Sequence, residues 1–366
     1  MKNRIIKMAL ILITAALIIL LFLIKCDKNK FAPGKDIQEP VPAAGMYKTG
    51  DKASFVLRDH IPGVKTKYSV FLLKTDFDGN QAWLKTYEAK NPRWAEAVFV
   101  SDKGLIKIIG RQYDTESGVS LPYIITCDEN GEAVSESVFD EESVEIKLDS
   151  GGAVEAGAVK IPSQPDTGYY YEQVMADKSL LQRYSGIKYF EWGNYGVIDP
   201  AGNIYELNGA ETPGAEFHEM SVTKRSAKGG TAWNFVYGGG YFERAYSICS
   251  GRNGGVIAAG VTESFGSGGS DAYLISIDVS GNCIWARSIG TAGDEAAYWI
   301  EKQGDNSVIA GVSCGVNSTC DIMLSLIDKA GAPKWIKYYD AGADEAAYYI
   351  SKNKDGYLIT GISGKF

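Results

Sequence analysis

Six glycines recur along this chain at a nearly constant spacing of 47 to 52 residues. A period of about fifty residues that carries strand signals is typical of a radial β array, in which each unit is one sheet packed against its neighbours. The period therefore predicts an all-β repeat fold and leaves the function open. The repeated glycines are Gly110, Gly157, Gly209, Gly260, Gly311 and Gly361.

The last three units are the most alike. Each begins with a strand that precedes a turn and a short apolar strand ending in the repeated glycine, namely Glu243–Ile248, Asp294–Ile300 and Asp344–Ile350. The chain ends two strands into a unit, and Tyr68–Asp76 and Asn80–Tyr87 supply the two that are missing. Pairing the two termini removes an open sheet edge. We therefore predict a six-bladed β-propeller with four-stranded blades over residues 67–366, its last blade closed by N-terminal strands.

The segment from Trp285 to Gly311 resembles the fifty-residue propeller repeats of bacterial cell-surface proteins. That resemblance implies an exported or surface-attached protein and names no ligand. The turn from Asp278 to Trp285 has a weaker similarity to quinoprotein-type propellers. Because its Asp and Gly are one residue closer than in those repeats, we predict no quinone or other cofactor.

Residues 8–24 form an uncharged run between Lys7 and Lys25. A run of this length reaches the short end of the membrane-spanning range, and no cleavage site follows it closely. We predict that residues 1–30 are a single-pass transmembrane anchor, with the propeller on the extracytoplasmic side of the cell membrane. Cys26 is a possible lipidation site, although Lys25 departs from the usual lipobox.

Residues 31–66 contain four of the eleven prolines, so this segment is predicted to be an extended tether. The anchor region holds six Lys or Arg and one Asp, which leaves a net charge of −13 on the remainder of a chain whose total is −8. An acidic domain argues against nucleic acid as a partner. His60 and His218 are the two histidines, and no metal-binding or nucleophile motif accompanies them, so no metal site is predicted.

Cys314 and Cys320 are six residues apart, across an expected loop between adjacent strands. A disulfide is chemically allowed there in an exported domain, although spacing alone cannot establish it. Cys127, Cys249 and Cys283 lie in apolar strand patterns and are expected to be small buried side chains.

Carboxylates recur before the first strand of several units, and the alternation of strands predicts that they gather on one face of the disc. Such a group could hold a divalent cation or attract a basic partner, or each carboxylate could simply cap its own turn. The group comprises Asp140, Glu141, Glu243, Asp294, Glu295, Asp344 and Glu345.

Aromatic residues replace short Gly-Ser loops in the second and third units. Aromatic side chains beside carboxylates suit sugar rings or peptide side chains. With Asp294, Glu295, Asp344 and Glu345 they form the candidate ligand-binding set, although tyrosine is also an ordinary strand residue. They are Tyr169, Tyr170, Tyr171, Tyr189 and Trp192.

These observations favour a membrane-anchored binding or scaffold module for protein or glycan partners, with no catalytic residue assigned. The alternative is a carboxylate-dependent enzyme that acts on polysaccharide. Adjacent carboxylates such as Asp294 and Glu295 rarely face each other across a sugar, as glycoside hydrolysis requires.

Overall fold

The computed structural model describes residues 45–49, 52–57, 68–101, 103–139, 144–148, 154–158, 170–176, 179–185, 196–211, 218–228, 230–239, 241–315 and 320–364. Within 45–57 and 144–185 it describes the backbone alone. The described elements are strands, which confirms the all-β prediction. In chain order they are β1 Gly45–Thr49, β2 Lys52–Leu57, β3 Ser69–Asp76, β4 Gln81–Tyr87, β5 Arg93–Val100, β6 Ile106–Asp114, β7 Val119–Cys127, β8 Ala133–Val138, β9 Val144–Leu148, β10 Val154–Ala158, β11 Tyr170–Ala176, β12 Ser179–Ser185, β13 Gly196–Ile198, β14 Ile204–Glu211, β15 His218–Arg225, β16 Thr231–Tyr237, β17 Glu243–Ser250, β18 Val256–Thr262, β19 Asp271–Ile277, β20 Cys283–Ile289, β21 Asp294–Gln303, β22 Asn306–Cys314, β23 Cys320–Ile327, β24 Pro333–Tyr339, β25 Asp344–Lys352 and β26 Gly356–Gly364.

Five four-stranded antiparallel sheets carry the described side chains. Four of them follow the chain, β5 to β8, β13 to β16, β17 to β20 and β21 to β24. The fifth has the order β25-β26-β3-β4, because β26 pairs with β3 along its length. The predicted closure of the last sheet by N-terminal strands is therefore confirmed. First strands of successive sheets contact one another, β17 with β21, β21 with β25 and β25 with β5, so they form the inner edge of the array.

In four of these sheets the same steric constraint requires glycine at the repeated position. On the inner strand the register shifts by one residue opposite the glycine, as between Ala297 and Trp299 opposite Gly311. This bulge brings a backbone carbonyl so close that a Cβ on Gly311 would lie 1.8 Å from the oxygen of Ala296. A residue with a side chain cannot occupy that position without displacing the inner strand.

A second repeated interaction joins neighbouring sheets: the turn between the third and fourth strands of one sheet packs on a tryptophan of the sheet before it. At the turn after β23, the Asp328 carboxylate accepts hydrogen bonds from the backbone N–H groups of Ala330 and Ala332. Gly331 in that turn has a φ of 84°, and it packs against Trp285 of the preceding sheet. Tryptophan therefore packs between sheets, as core packing predicts.

The N-terminal part differs from the expected tether. Strands β1 and β2 lie within residues 31–66 and form a sheet in the order β1-β2-β9-β10, while β11 and β12 form a separate pair. Sequence reasoning did not anticipate strands in a proline-rich segment. The proposed anchor, residues 8–24, lies outside the described residues, and no helix in the described part of the chain is long and apolar enough to span a membrane.

Candidate active site

Buried glutamates at the starts of the inner strands hold the scaffold together. Glu295 accepts hydrogen bonds from the backbone N–H of Thr291 over 2.7 Å and from the hydroxyl of Ser313 over 2.8 Å. Glu345 and Glu243 accept the corresponding bonds from their own preceding loop and from the adjacent strand. Each glutamate thus ties the loop before an inner strand to the second strand of its sheet.

The neighbouring aspartates link one sheet to the next. Asp294 accepts a hydrogen bond from the backbone N–H of Ser270 over 2.9 Å, and Asp344 accepts one from the backbone N–H of Cys320 over 3.1 Å. Both donors belong to the preceding sheet or its loop. The four carboxylates named in the candidate ligand-binding set therefore lie at equivalent ends of β21 and β25, and all four accept hydrogen bonds from the scaffold. Capping, the simpler alternative for such carboxylates, accounts for these contacts.

Glu345 also belongs to an acidic group formed by the start of β23, the loop after β24 and the start of β25. Asp321, Asp340 and Glu345 place carboxylate oxygens within 4.8 Å of one another. Burial raises the pKa of Glu345, and burial together with Asp340 and Asp344 raises the pKa of Asp321. Oxygen ligands of this kind suit Ca²⁺. Proximity alone assigns no ion to them.

The aromatic candidates of the second and third units lie beyond the side chains that the structure describes. Tyr170 and Tyr171 belong to β11, of which the backbone is placed. Tyr169, Tyr189 and Trp192 fall outside the described residues, as do Asp140, Glu141 and Cys26.

The inner strands of four sheets also meet around a group of residues that sequence reasoning missed. At the bulge opposite the repeated glycine, three sheets place Tyr246, Tyr298 and Tyr348, whereas β5 places Glu96. The tyrosine rings contact one another edge to face, with centroids 4.9 Å apart for Tyr246 and Tyr298 and 5.1 Å apart for Tyr298 and Tyr348. A carboxylate thus stands where the repeat otherwise provides an aromatic ring.

Two further positions of the same sheet depart from the repeat. The residue after the repeated glycine is Val261, Val312 or Ile362 in three sheets and Arg111 in the fourth. The residue before the alanine that pairs with the repeated glycine is alanine in β21 and β25, Arg244 in β17 and Trp94 in β5. We call Trp94, Glu96, Arg111, Tyr246, Tyr298 and Tyr348 the inner cluster.

The three departures contact one another. The indole N–H of Trp94 donates to Oε1 of Glu96 over 3.2 Å, and Nε of Arg111 lies 3.9 Å from the same oxygen. The Arg111 side chain is 1% exposed and that of Glu96 14%. Burial raises the pKa of Glu96, while Arg111 and the Trp94 hydrogen bond oppose that rise. Glu96 is therefore a largely buried carboxyl group, with Oε1 held by Trp94 and Oε2 buried without a hydrogen-bond partner among the described residues.

The tyrosines of the inner cluster are neutral donors. Burial raises the pKa of both Tyr298 and Tyr348 far above neutrality. Their hydroxyls lie close enough to influence one another electrostatically, and Tyr68 joins them. A neutral phenol both donates and accepts hydrogen bonds, so this side of the cluster is chemically suited to hydroxyl groups.

One signal in the sequence could have located this site. Aligning RWAEAVF of the first unit with DEAAYWI of a later unit places Glu96 opposite Tyr298 and Arg111 one residue beyond the glycine. The aromatic residues of the divergent units, such as Tyr169 and Trp192, are a more conspicuous departure from the repeat than a charged substitution within a well-formed unit.

Cysteine pairing was partly anticipated. Cys314 and Cys320 form a disulfide at the loop between β22 and β23. Cys127 and Cys249 are free and buried, as expected for small apolar side chains. Cys283 is disulfide-bonded, which corrects its expected role as a buried hydrophobe.

Comparisons with known proteins find likeness at the level of fold. No protein-family model matches the chain, and no curated protein matches it. An exo-β-1,3-galactanase from Phanerochaete chrysosporium is 11% identical, with a TM-score of 0.33 over 89% of this chain and 70% of that one. A GH43 β-xylosidase/α-arabinofuranosidase from a compost metagenome is 10% identical, with a TM-score of 0.31 over 75% and 90%. A β-1,2-mannobiose phosphorylase from Listeria innocua is 10% identical, with a TM-score of 0.34 over 91% and 92%.

The matched structures are propeller-like proteins with four-stranded antiparallel sheets, which agrees with the coarse fold prediction. The leading expectation of a binding or scaffold module is not supported: the three structures named above are of carbohydrate-acting enzymes, and other matches are of a puromycin hydrolase and a eukaryotic initiation factor. Identities this low describe the fold alone, and the case for chemistry comes from the residues of this chain.

Proposed function

We propose that this chain is a carbohydrate-acting enzyme in which Glu96 transfers the catalytic proton. One observation carries the proposal. Glu96 is a largely buried carboxylate, with Oε2 free of hydrogen bonds among the described residues, at a position where three equivalent inner strands place tyrosine, and Trp94 and Arg111 of the same sheet contact it or approach it closely. A buried ion pair is rarely a source of net stability compared with apolar residues, so its presence in one repeat favours a chemical role.

The surroundings of Glu96 match the needs of glycosidic bond cleavage. A carboxyl group whose pKa is raised protonates a leaving oxygen effectively near its own pKa. Tyr298 and Tyr348 supply neutral donors for sugar hydroxyls. Trp94 supplies both an aromatic surface and the hydrogen bond that orients Glu96.

Most glycosidases use a second carboxylate across the sugar. Asp321 on β23 is the carboxylate that we propose for that role, and the proposal requires an experimental map to show its carboxyl about 5 Å or about 6.5–9.5 Å from that of Glu96. Asp321 is half-buried, and within the part of the chain that the structure describes no group donates a hydrogen bond to it, in contrast to the glutamates that hold the loops. Its raised pKa arises from burial and from the nearby carboxylates.

The test is hydrolysis and phosphorolysis of galactan, xylan and mannan oligosaccharides by the full chain. Glu96→Gln is expected to lower kcat by about 10²- to 10⁴-fold, the usual contribution of a general acid or base. Glu116→Gln, at an exposed ion pair with Lys90, is the matched control and should retain activity. Full activity in Glu96→Gln would show that Glu96 is not the catalytic group, and no turnover of any oligosaccharide would contradict the proposed class of enzyme.

We also propose that the sheets are blades of a six-bladed propeller. The five sheets with described side chains contain five of the repeated glycines, and Gly157 lies in β10 of the sheet β1-β2-β9-β10. An experimental map of the full chain tests this count.

The uncharged run at 8–24 further supports a membrane anchor that places the enzyme on the extracytoplasmic side, where polysaccharide is encountered. Partition of the full chain into membranes, compared with a chain that begins at residue 31, tests the anchor. We propose a glycan as the partner of the folded part.

A further inference from the structure

Arg111 places a positive charge beside Glu96 from the neighbouring strand β6. It lies on β6, directly after the repeated glycine, where the other sheets place Val261, Val312 and Ile362. Its side chain is 1% exposed, and its Nε is 3.9 Å from Oε1 of Glu96. Solvent screens a buried pair less than an exposed one, so the guanidinium favours the ionised form of Glu96.

The tyrosines around Glu96 are neutral. Tyr123 on β7 donates its hydroxyl to the carbonyl of Trp94 over 3.1 Å, and burial raises its pKa well above the usual value. Tyr348 occupies the corresponding bulge of β25, where burial also keeps its hydroxyl protonated. Two other cations lie in this region: Arg93 pairs with Glu136 over 2.8 Å and lies over the Tyr123 ring, and Arg244 lies over the Tyr246 ring. Of the cations in this region, Arg111 is the one that opposes the desolvation of Glu96.

We infer that Arg111 is a positioning residue that determines the charge state of Glu96 and thereby the pH range over which Glu96 exchanges protons. The guanidinium favours the ionised carboxylate, and burial favours the neutral acid. With both present, Glu96 can accept and release a proton in one catalytic cycle. The catalytic meaning of this inference rests on the proposed function, but the charge coupling itself does not.

The repeat supplies a substitution that the fold already accepts. Arg111→Ile places at this position the residue found at Ile362, so the variant is expected to fold. Arg111→Lys keeps the charge with a different shape, and Arg111→Gln removes the charge while keeping a polar group. Arg252→Gln, at an exposed turn, is the matched control.

The measurement is the titration midpoint of Glu96 in the full chain, observed by ¹³C NMR with labelled glutamate carboxyls and assigned by the signal lost in Glu96→Gln. Arg111→Ile and Arg111→Gln should raise the midpoint by about one pH unit or more, a tenfold or greater gain in proton affinity. Arg111→Lys and Arg252→Gln should stay near the parent value. Where turnover is measurable, the acidic limb of kcat/KM should move by the same amount.

An unchanged midpoint in a folded Arg111→Ile or Arg111→Gln variant would overturn the inference, as would an equally large rise in Arg111→Lys. If Arg111→Ile fails to fold, the comparison of Arg111→Gln with Arg111→Lys decides the question. Retained turnover in Glu96→Gln would remove the proposed function, whereas the NMR midpoints would still test the coupling.

Discussion

Glu96 and Tyr348 occupy the same bulge position of two adjacent inner strands, β5 and β25. The repeated unit is thus an internal control for the site. Because three sheets accept tyrosine there, the fold does not require a carboxylate at Glu96, and because they accept valine or isoleucine at the position of Arg111, it does not require a cation there. Residues that differ from the repeat and contact one another within a single sheet are typical of a functional site added to an existing fold.

Restoring the repeat at these positions should separate stability from activity. Glu96→Tyr alone should lower the free energy of unfolding by about 3–5 kcal/mol, because Arg111 is left as a buried charge without its carboxylate. Glu96→Tyr combined with Arg111→Ile should recover that loss or exceed the parent by about 1–4 kcal/mol, since apolar residues commonly replace buried ion pairs favourably. Both variants should be inactive. Urea unfolding of the single and double variants measures the coupling, and simple additivity of the two changes would argue against a functional pair.

The tyrosine hydroxyls should matter to substrate and not to the fold. Tyr298→Phe removes one donor from the inner cluster and keeps the ring that packs between Tyr246 and Tyr348. The loss of one hydrogen bond of about 0.5–1.5 kcal/mol corresponds to a two- to tenfold rise in KM or fall in kcat/KM. Tyr338→Phe, a 45% exposed tyrosine of β24, is the control. A large fall in the thermal midpoint of Tyr298→Phe would assign its hydroxyl to the scaffold instead.

The period of the glycines carried most of the fold. It located the second strand in the five sheets whose side chains are described, and it indicated that the chain ends within a sheet. In four of these sheets the glycine recurs because the backbone carbonyl of the bulged inner strand leaves no room for a Cβ. The same reasoning could not place β1 and β2. Their pairing with β9 is a long-range contact, and a proline-rich composition has no periodicity from which to read it.

The site was harder to predict than the fold. The carboxylates Asp294, Glu295, Asp344 and Glu345 repeat because they hold loops and neighbouring sheets, so their repetition indicated structure rather than chemistry. The site that we propose coincides instead with an interruption of the repeat inside a regular unit. Such a change is visible in sequence only when the units are aligned residue by residue.

The packing of tryptophan on a turn glycine should make some glycines far less replaceable than others. Gly331 has a φ of 84°, and a Cβ there would lie 2.7 Å from the Trp285 ring. Gly304 also has a positive φ, 57°, but a Cβ there meets nothing within 4 Å. Gly304→Ala should cost about 1 kcal/mol of stability through backbone strain, and Gly331→Ala about 1–3 kcal/mol more through displacement of the ring. Denaturant unfolding compares them, and equal losses would mean that the ring moves aside freely.

The ionisation of Asp321 should lower the stability of the folded chain as the pH rises. Because burial and the carboxylates of Asp340 and Asp344 raise the pKa of Asp321 in the folded chain, its contribution to stability is complete below the unfolded pKa of about 3.9 and declines as the pH rises through the higher folded value. Asp321→Asn should therefore match the parent near pH 3.5 and melt about 1–2 °C higher at pH 7. Asp328→Asn is the opposite control, since hydrogen bonds from Ala332 and Ala330 lower the pKa of Asp328. That variant should melt below the parent at pH 7 and approach it as the pH falls. Scanning calorimetry across this range decides the matter, and a lower melting temperature for Asp321→Asn at pH 7 would mean that Asp321 binds a cation and that the variant loses this ligand.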